Sequence, residues 1–112
     1  MESSNLAQEV TELHADLCSA LADTKRILIL YALAEQRLNV SDLANQIGIS
    51  QPAASRHLKV LRDRGLVRAS RQGASVVYRV TDQRLIEALD LLRSVLRDRI
   101  NYRAQLVGSE EE

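Results

Sequence analysis

The 112-residue chain has one cysteine (Cys18), one proline (Pro52) and two histidines (His14 and His57). A single cysteine forbids an internal disulfide, which accords with a reducing, cytoplasmic setting. No segment reaches the roughly 20 apolar residues of a membrane span. No basic-then-apolar start marks an export signal, so no membrane partner is expected. There is no Ser/Cys–His–acid set, no phosphate-cradling Gly loop and no credible carboxylate pair in a cleft, so an enzyme is not expected. Repeats and low-complexity linkers are missing as well. The length fits one domain, able to bury about two-thirds of its unfolded surface. We expect a disordered start over residues 1–5, a folded domain over 6–105 and an acidic, disordered tail over 106–112.

The net charge is zero, but the charges are segregated. Residues 1–23 carry five acids (Glu2, Glu9, Glu12, Asp16 and Asp23) and no Lys or Arg. Residues 51–79 carry seven bases (Arg56, Lys59, Arg62, Arg64, Arg68, Arg71 and Arg79) against Asp63 alone. Such segregation is expected when one face meets phosphates and the others do not.

The basic run begins inside the most informative stretch, residues 41–65. Val40, Leu43, Ala44 and Ile47 recur at helical spacing. Ser41 is placed to cap that helix by accepting a bond from a free backbone N–H. Gly48 follows the last periodic residue, where left-handed backbone favours glycine. Ile49 anchors the turn. Ser50 is a second cap, and Pro52 falls in the first turn of the next helix, where no N–H is missed. In that second helix Ala54, Leu58 and Leu61 step by four and three and should point inward. Gln51, Pro52, Ser55, Arg56 and Lys59 lie on another face, and none belongs in a core. Gln and Ser can read base edges, Arg can bond guanine or phosphate, and the Pro ring can touch a thymine methyl. Alone, this would be an ordinary solvated amphipathic helix. Two capped helices around a Gly turn make the helix-turn-helix pattern, whose second helix enters the major groove of DNA.

On either side the periodicity changes. Leu6, Val10, Leu13, Leu17 and Leu21 form one stripe of a first helix. Asp23 or Thr24 caps the next, in which Ile27, Leu28, Leu30, Tyr31 and Leu33 are apolar almost all round and should form the buried centre. Glu35 to Asn39 reads as a polar connection. After Gly65, residues 66–71 and 75–80 are short runs with β-branched residues, and Gln72-Gly73-Ala74 between them is a plausible hairpin turn. A hairpin after a recognition helix is a wing, and Arg71 and Gln72 near its tip are positioned for a minor groove or phosphate. For Gln72, a solubilising turn residue is an equal reading. Thr81 or Asp82 caps a last helix with Leu85, Leu89, Leu92, Leu96 and Ile100 in one stripe, widened by Ile86 and Val95. The fold class expected is therefore mainly α with a small β-hairpin, a winged helix-turn-helix. The two leucine-rich terminal helices exceed what so small a core can cover, and the economical answer is a twofold dimer built from them.

In this order of elements the chain resembles the ArsR/SmtB family of bacterial repressors over roughly residues 12–100. The likeness rests on Leu21-Ala22-Asp23 followed by Arg26-Ile27-Leu28-Ile29-Leu30, similar to the family's "ALADPTRLRIL". It rests also on the run Ser50 to Leu61, which includes His57, and on Gly65-Leu66-Val67 leading to Gly73 and Val77-Tyr78. The resemblance implies a homodimeric repressor that sits on an inverted-repeat operator until an inducer binds, commonly a metal ion and in some members a sulfur species or oxidant. Its thiolate motif, ELCVCDL, falls on Arg37 to Leu43, with Asn39 and Ser41 where the cysteines belong. A soft ion needs those thiolates. Its zinc site in the last helix falls on Asp82, Arg84, Val95 and Asp98, a poor ligand set without imidazoles. Members that sense through an intrachain dithiol need two cysteines. None of these triggers carries over, and the cofactor stays unknown.

What remains is His14 and Cys18, four residues apart on one helix face. They are weak candidates for a metal or redox site, because a thiolate beside His⁺ is more oxidisable. The simpler reading buries Cys18 as a small hydrophobe among Leu17, Leu21 and the central helix, with His14 at the rim. His57 is expected to pack or to touch phosphate. Two other functions remain open. One is an effector-independent winged-helix regulator or anti-repressor that competes for DNA. The other is a protein-interaction module whose basic face is incidental.

Overall fold

Helix α1 (Ser3–Glu12) begins the described part of the chain, residues 3–111 of a computed structural model. The expectations for residues 1, 2 and 112 lie outside the described residues. From Leu13 to Cys18 the helix widens to a π-helical segment, in which the Ser19 N–H reaches back five residues to the His14 carbonyl. It ends in the short α2 (Ser19–Leu21). The leucine stripe foresees a helix here but not the π distortion within it.

Helix α3 (Thr24–Glu35) starts where Asp23 caps it, its carboxylate accepting from the N–H groups of Lys25 at 2.8 Å and Arg26 at 3.3 Å. Ile29, Leu30, Ala32 and Leu33 are buried, and Ile29 and Leu30 reach full burial. Leu28, expected inside, is exposed, because the inward face of α3 runs through Ile29 instead.

The polar connection after α3 contains a β-bridge. Leu38 exchanges both backbone hydrogen bonds with Tyr78 (3.3 and 2.9 Å), and its side chain is buried. Helix α4 (Val40–Ile47) is capped by Asn39, whose side-chain oxygen accepts from the Asp42 N–H at 2.8 Å. This corrects the expectation for Ser41, which lies inside the first turn. Asn39 stands in extended backbone three residues before a free N–H, where a cap acts. Gly48 closes α4 in the left-handed region at φ 82°, donating to the Ala44 carbonyl at 2.9 Å.

Helix α5 (Gln51–Asp63) starts from the Ser50 cap, whose hydroxyl accepts from the Ala53 N–H at 3.2 Å, with Pro52 in the first turn. Ala54, Leu58 and Leu61 are buried, as their spacing requires. Strands β1 (Val67–Gln72) and β2 (Ser75–Val80) form an antiparallel hairpin, with Val67 opposite Val80 and Gln72 opposite Ser75. The connection is two residues, Gly73 and Ala74. Gly73 alone has positive φ (63°), as a turn of type II′ requires.

The base of the hairpin is tied by Thr81, whose hydroxyl donates to the Gly65 carbonyl at 2.7 Å and whose N–H donates to Leu66. Thr81 thus closes the open end of the hairpin. The chain divides into two compact units, one up to Asp82 and one from Gln83. The second is helix α6 (Gln83–Glu111). It continues through residues 106–111, where a tail was expected, just as α1 begins within the expected frayed start. Arg, Ala, Gln and Leu at 103–106 favour helix, and no proline follows to stop it. Ile86 and Leu89 are buried, whereas Leu92, Val95, Leu96 and Ile100 are exposed at 53–63%. In the first unit Leu6, Val10 and Leu13 of α1 are likewise exposed. The architecture is a winged helix-turn-helix: mainly helical, with one two-stranded hairpin following α5.

Candidate nucleic-acid interface

Three buried side chains, Ala54, Leu58 and Leu61, fix which way α5 faces. Helical geometry then turns Pro52, Arg56 and Lys59 directly outward. Gln51 and Ser55 flank them, and all five are exposed. Ser50, also exposed, uses one lone pair for the cap, so its hydroxyl proton is left to bond an anion. Among the described residues Arg56 has no acidic partner, while Lys59 pairs with Asp63 at 3.2 Å, both well exposed. A surface i,i+4 pair of this kind contributes about 0.3–0.5 kcal/mol and is readily exchanged for another anion.

His57 sits differently. It is half-buried, on the flank of α5 opposite Ser55 and Arg62. Partial burial raises the Asp23 carboxyl. The N–H bonds of Arg26 and Lys25, with the charges of His57 and Arg26, outweigh that and hold it below its ordinary 3.8. His57 therefore lies off the outward face that carries Arg56.

The wing extends the polar surface. Arg71 and Gln72 are exposed at its tip. Alternation along the strands puts Val67, Ala69 and Arg71 on one face with Val80, Tyr78 and Val76, their cross-strand partners. Arg68 and Arg79 face each other across the ladder on the opposite side, both exposed. Like charges so placed repel and cost stability. Among the described residues no carboxylate offsets either of them.

The other end of α5 carries a contact that no sequence pattern signals. Arg64 donates to the Ala15 carbonyl and to the Ser19 hydroxyl (3.0 Å), with Asp16 at 3.8 Å. It thereby ties the end of α5 to the π-helical segment. Arg26 does similar service one turn on, donating to the carbonyls of Ala20 at 2.6 Å and Ser19 at 3.3 Å. Arg26 thus satisfies carbonyls in the last turn of α2, where cations are favoured.

His14 and Cys18 both lie in that π-helical segment, and both are exposed. This corrects the reading of Cys18 as a buried hydrophobe: the half-buried Leu17 and Leu21 and the buried Ala20 take the inward positions. Among the described residues no three His, Cys, Asp or Glu side chains are grouped so as to hold a metal ion. No helix among them is long and apolar enough to cross a membrane.

Comparisons with known proteins agree with this geometry. Residues 23–69 match the family "Bacterial regulatory protein, arsR family". The HTH-type transcriptional regulator NmtR of Mycobacterium tuberculosis is 43% identical over 76 residues, 68% of this chain and 63% of that protein. This chain thus spans less than two thirds of that relative's length. The crystal structure of NolR from Sinorhizobium fredii superposes with a TM-score of 0.71 at 35% identity, covering 80% of this chain and 89% of NolR. The solution structure of the homodimeric winged helix-turn-helix DNA-binding domain of Mb0332 from Mycobacterium bovis superposes with a TM-score of 0.77 at 28% identity, covering 90% and 93%.

Proposed function

The chain belongs to the ArsR family of bacterial regulatory proteins, and on that premise we propose that it is a homodimeric, sequence-specific repressor acting on an inverted-repeat operator. The outward face of α5 carries the proposal. Gln51, Pro52, Ser55, Arg56 and Lys59 stand exposed on a rigidly capped helix, beside a wing with Arg71 and Gln72 at its tip. Such a face suits base edges and phosphates, and its solvent-exposed polar groups contribute nothing to a core. The exposed apolar rows of α1 and α6 supply the dimer surface, since patches of this kind mark association sites. Twofold symmetry would set two recognition helices roughly 34–36 Å apart, one turn of DNA.

Selection from a random duplex library tests this. The expected product is an inverted repeat with half-sites about 10–10.5 base pairs apart, bound by two protomers as judged by sedimentation. Recovery of a single half-site, or no binding at low salt, overturns the proposal. Arg56→Ala should weaken the selected site by about 1–3 kcal/mol and relax sequence preference if Arg56 holds a base.

Release by an inducer, a metal ion or a redox or sulfur species, is the family's manner of working, and His14 and Cys18 are the residues to test for it. Operator complexes titrated with Zn(II), Ni(II), Cu(I), As(III), peroxide and persulfide should dissociate with one of these, and Cys18→Ser with His14→Ala should abolish the response. The non-ligating Asn39, Ser41, Arg84 and Val95 favour a second reading, a regulator that needs no effector. A footprint unchanged by every compound would establish that reading instead.

A further inference from the structure

Between α5 and the wing lies a half-open cleft of about 170 Å³ lined by Ser55, Leu58, Lys59, Arg62 and Tyr78. We propose that this cleft seats a phosphate group, that of one DNA strand passing between the recognition helix and the wing. The proposal rests on the DNA-binding reading above and adds to it a site with two residues, Arg62 and Tyr78, on neither the outward face of α5 nor the tip of the wing.

The geometry follows from two periodicities. Ser55, Lys59 and Arg62 are spaced by four and three, so they line one flank of α5, and Leu58 forms the apolar floor between them. This flank is opposite the one that carries His57. On the hairpin, Tyr78 faces the cleft, and Arg71 lies on the same face of the wing, two pairs farther toward the tip.

The chemistry of the lining is one-sided. Lys59 and Arg62 bring two positive charges, and Ser55 and Tyr78 bring two hydroxyl donors. Among the described residues Arg62 has no acidic partner, and neither hydroxyl makes a hydrogen bond. No acid lines the cleft, and Lys59 pairs with Asp63 on the exposed side. Two cations and two unused donors around an apolar floor suit a tetrahedral oxyanion. The volume falls below the roughly 300–1,000 Å³ usual for organic ligands, which argues against an inducer pocket.

Binding to a random-sequence duplex, which requires no knowledge of the operator, tests the seat. Arg62→Gln should lower affinity and reduce the slope of log K against log salt by about 0.9 per protomer, because one phosphate fewer is neutralised. Tyr78→Phe should lower affinity two- to fivefold with the slope unchanged, because a neutral hydroxyl releases no counterion. Replacing chloride by inorganic phosphate at constant ionic strength should weaken wild-type binding more than that of Arg62→Gln. An unchanged slope in folded Arg62→Gln, with thermal midpoint as in the wild type, overturns the seat while leaving DNA binding standing. If the wild type itself binds no duplex at low salt, the DNA reading fails. Backbone amide shifts at Ser55 and Arg62 on phosphate addition would then assign the cleft to a free anion and overturn the strand assignment.

Discussion

The recognition helix α5 is held at its two ends by different kinds of contact. At the N-terminus everything is local: Ser50 caps the Ala53 N–H, Pro52 sits in the first turn, and Gly48 turns the chain two residues earlier. At the C-terminus the contact is remote. Arg64, just beyond Asp63, reaches a carbonyl 49 residues earlier in the chain and the Ser19 hydroxyl beside it. The first arrangement sets where the helix begins. The second sets how the helix stands against the N-terminal helix, whose exposed apolar row is the proposed dimer surface. Arg64 therefore links the reading head to that helix directly.

Substitutions can break or sharpen this contrast. The largest effect should come from Leu61→Ala, which removes a fully buried side chain from the inward face of α5. A loss of about 2–5 kcal/mol is expected in urea unfolding, and a loss below about 1 kcal/mol would mean that the ends rather than the buried face hold α5. Arg64→Ala should cost about 1–2 kcal/mol, less than a buried charged hydrogen bond would because the side chain is partly exposed. A double-mutant cycle with Ser19→Ala should show coupling of at least about 0.5 kcal/mol, and strict additivity would dissolve the remote contact. Ser50→Ala should cost about 1 kcal/mol and should show no coupling to Ser19→Ala, as befits a local cap.

The smallest effect concerns Asp23, at the start of α3. Its carboxyl is held below 3.8 in the folded chain, so its ionised form adds stability that is fully present above that value. That contribution is lost as pH falls through the lower folded value. The wild-type thermal midpoint should therefore drop more steeply below pH 3.8 than that of Asp23→Asn, which keeps a cap but has no proton to gain. Parallel acid limbs for the two proteins would remove Asp23 as a contributor.

The N-terminal half of this contrast was legible in the sequence, and the other half was not. Ser50, Pro52 and Gly48 act on neighbours within four residues, so their types and spacing carry the information. Asn39 and Ser41 are both good caps two residues apart, and only the extended backbone at Asn39 decides between them. The hairpin was readable from β-branched residues around Gly73, but the pairing of Leu38 with Tyr78 was not, because a bridge across 40 residues leaves no local pattern. The tie from Thr81 back to Gly65 was not legible either, because it spans 16 residues. Cys18 looked buried because free cysteine usually is, and the π-helical segment leaves it exposed.

The sequence by itself determined the order of elements, the inward residues of α5 and the concentration of positive charge after residue 50. These depend on periodicity, caps and composition, which act over a few residues. Only the tertiary structure decided that Leu38 pairs with Tyr78, that Arg62 and Tyr78 share a cleft, and that Arg64 joins α5 to the first helix. Each of these pairs residues distant in the chain, and their meeting is set by how buried faces pack rather than by what surrounds each residue in sequence.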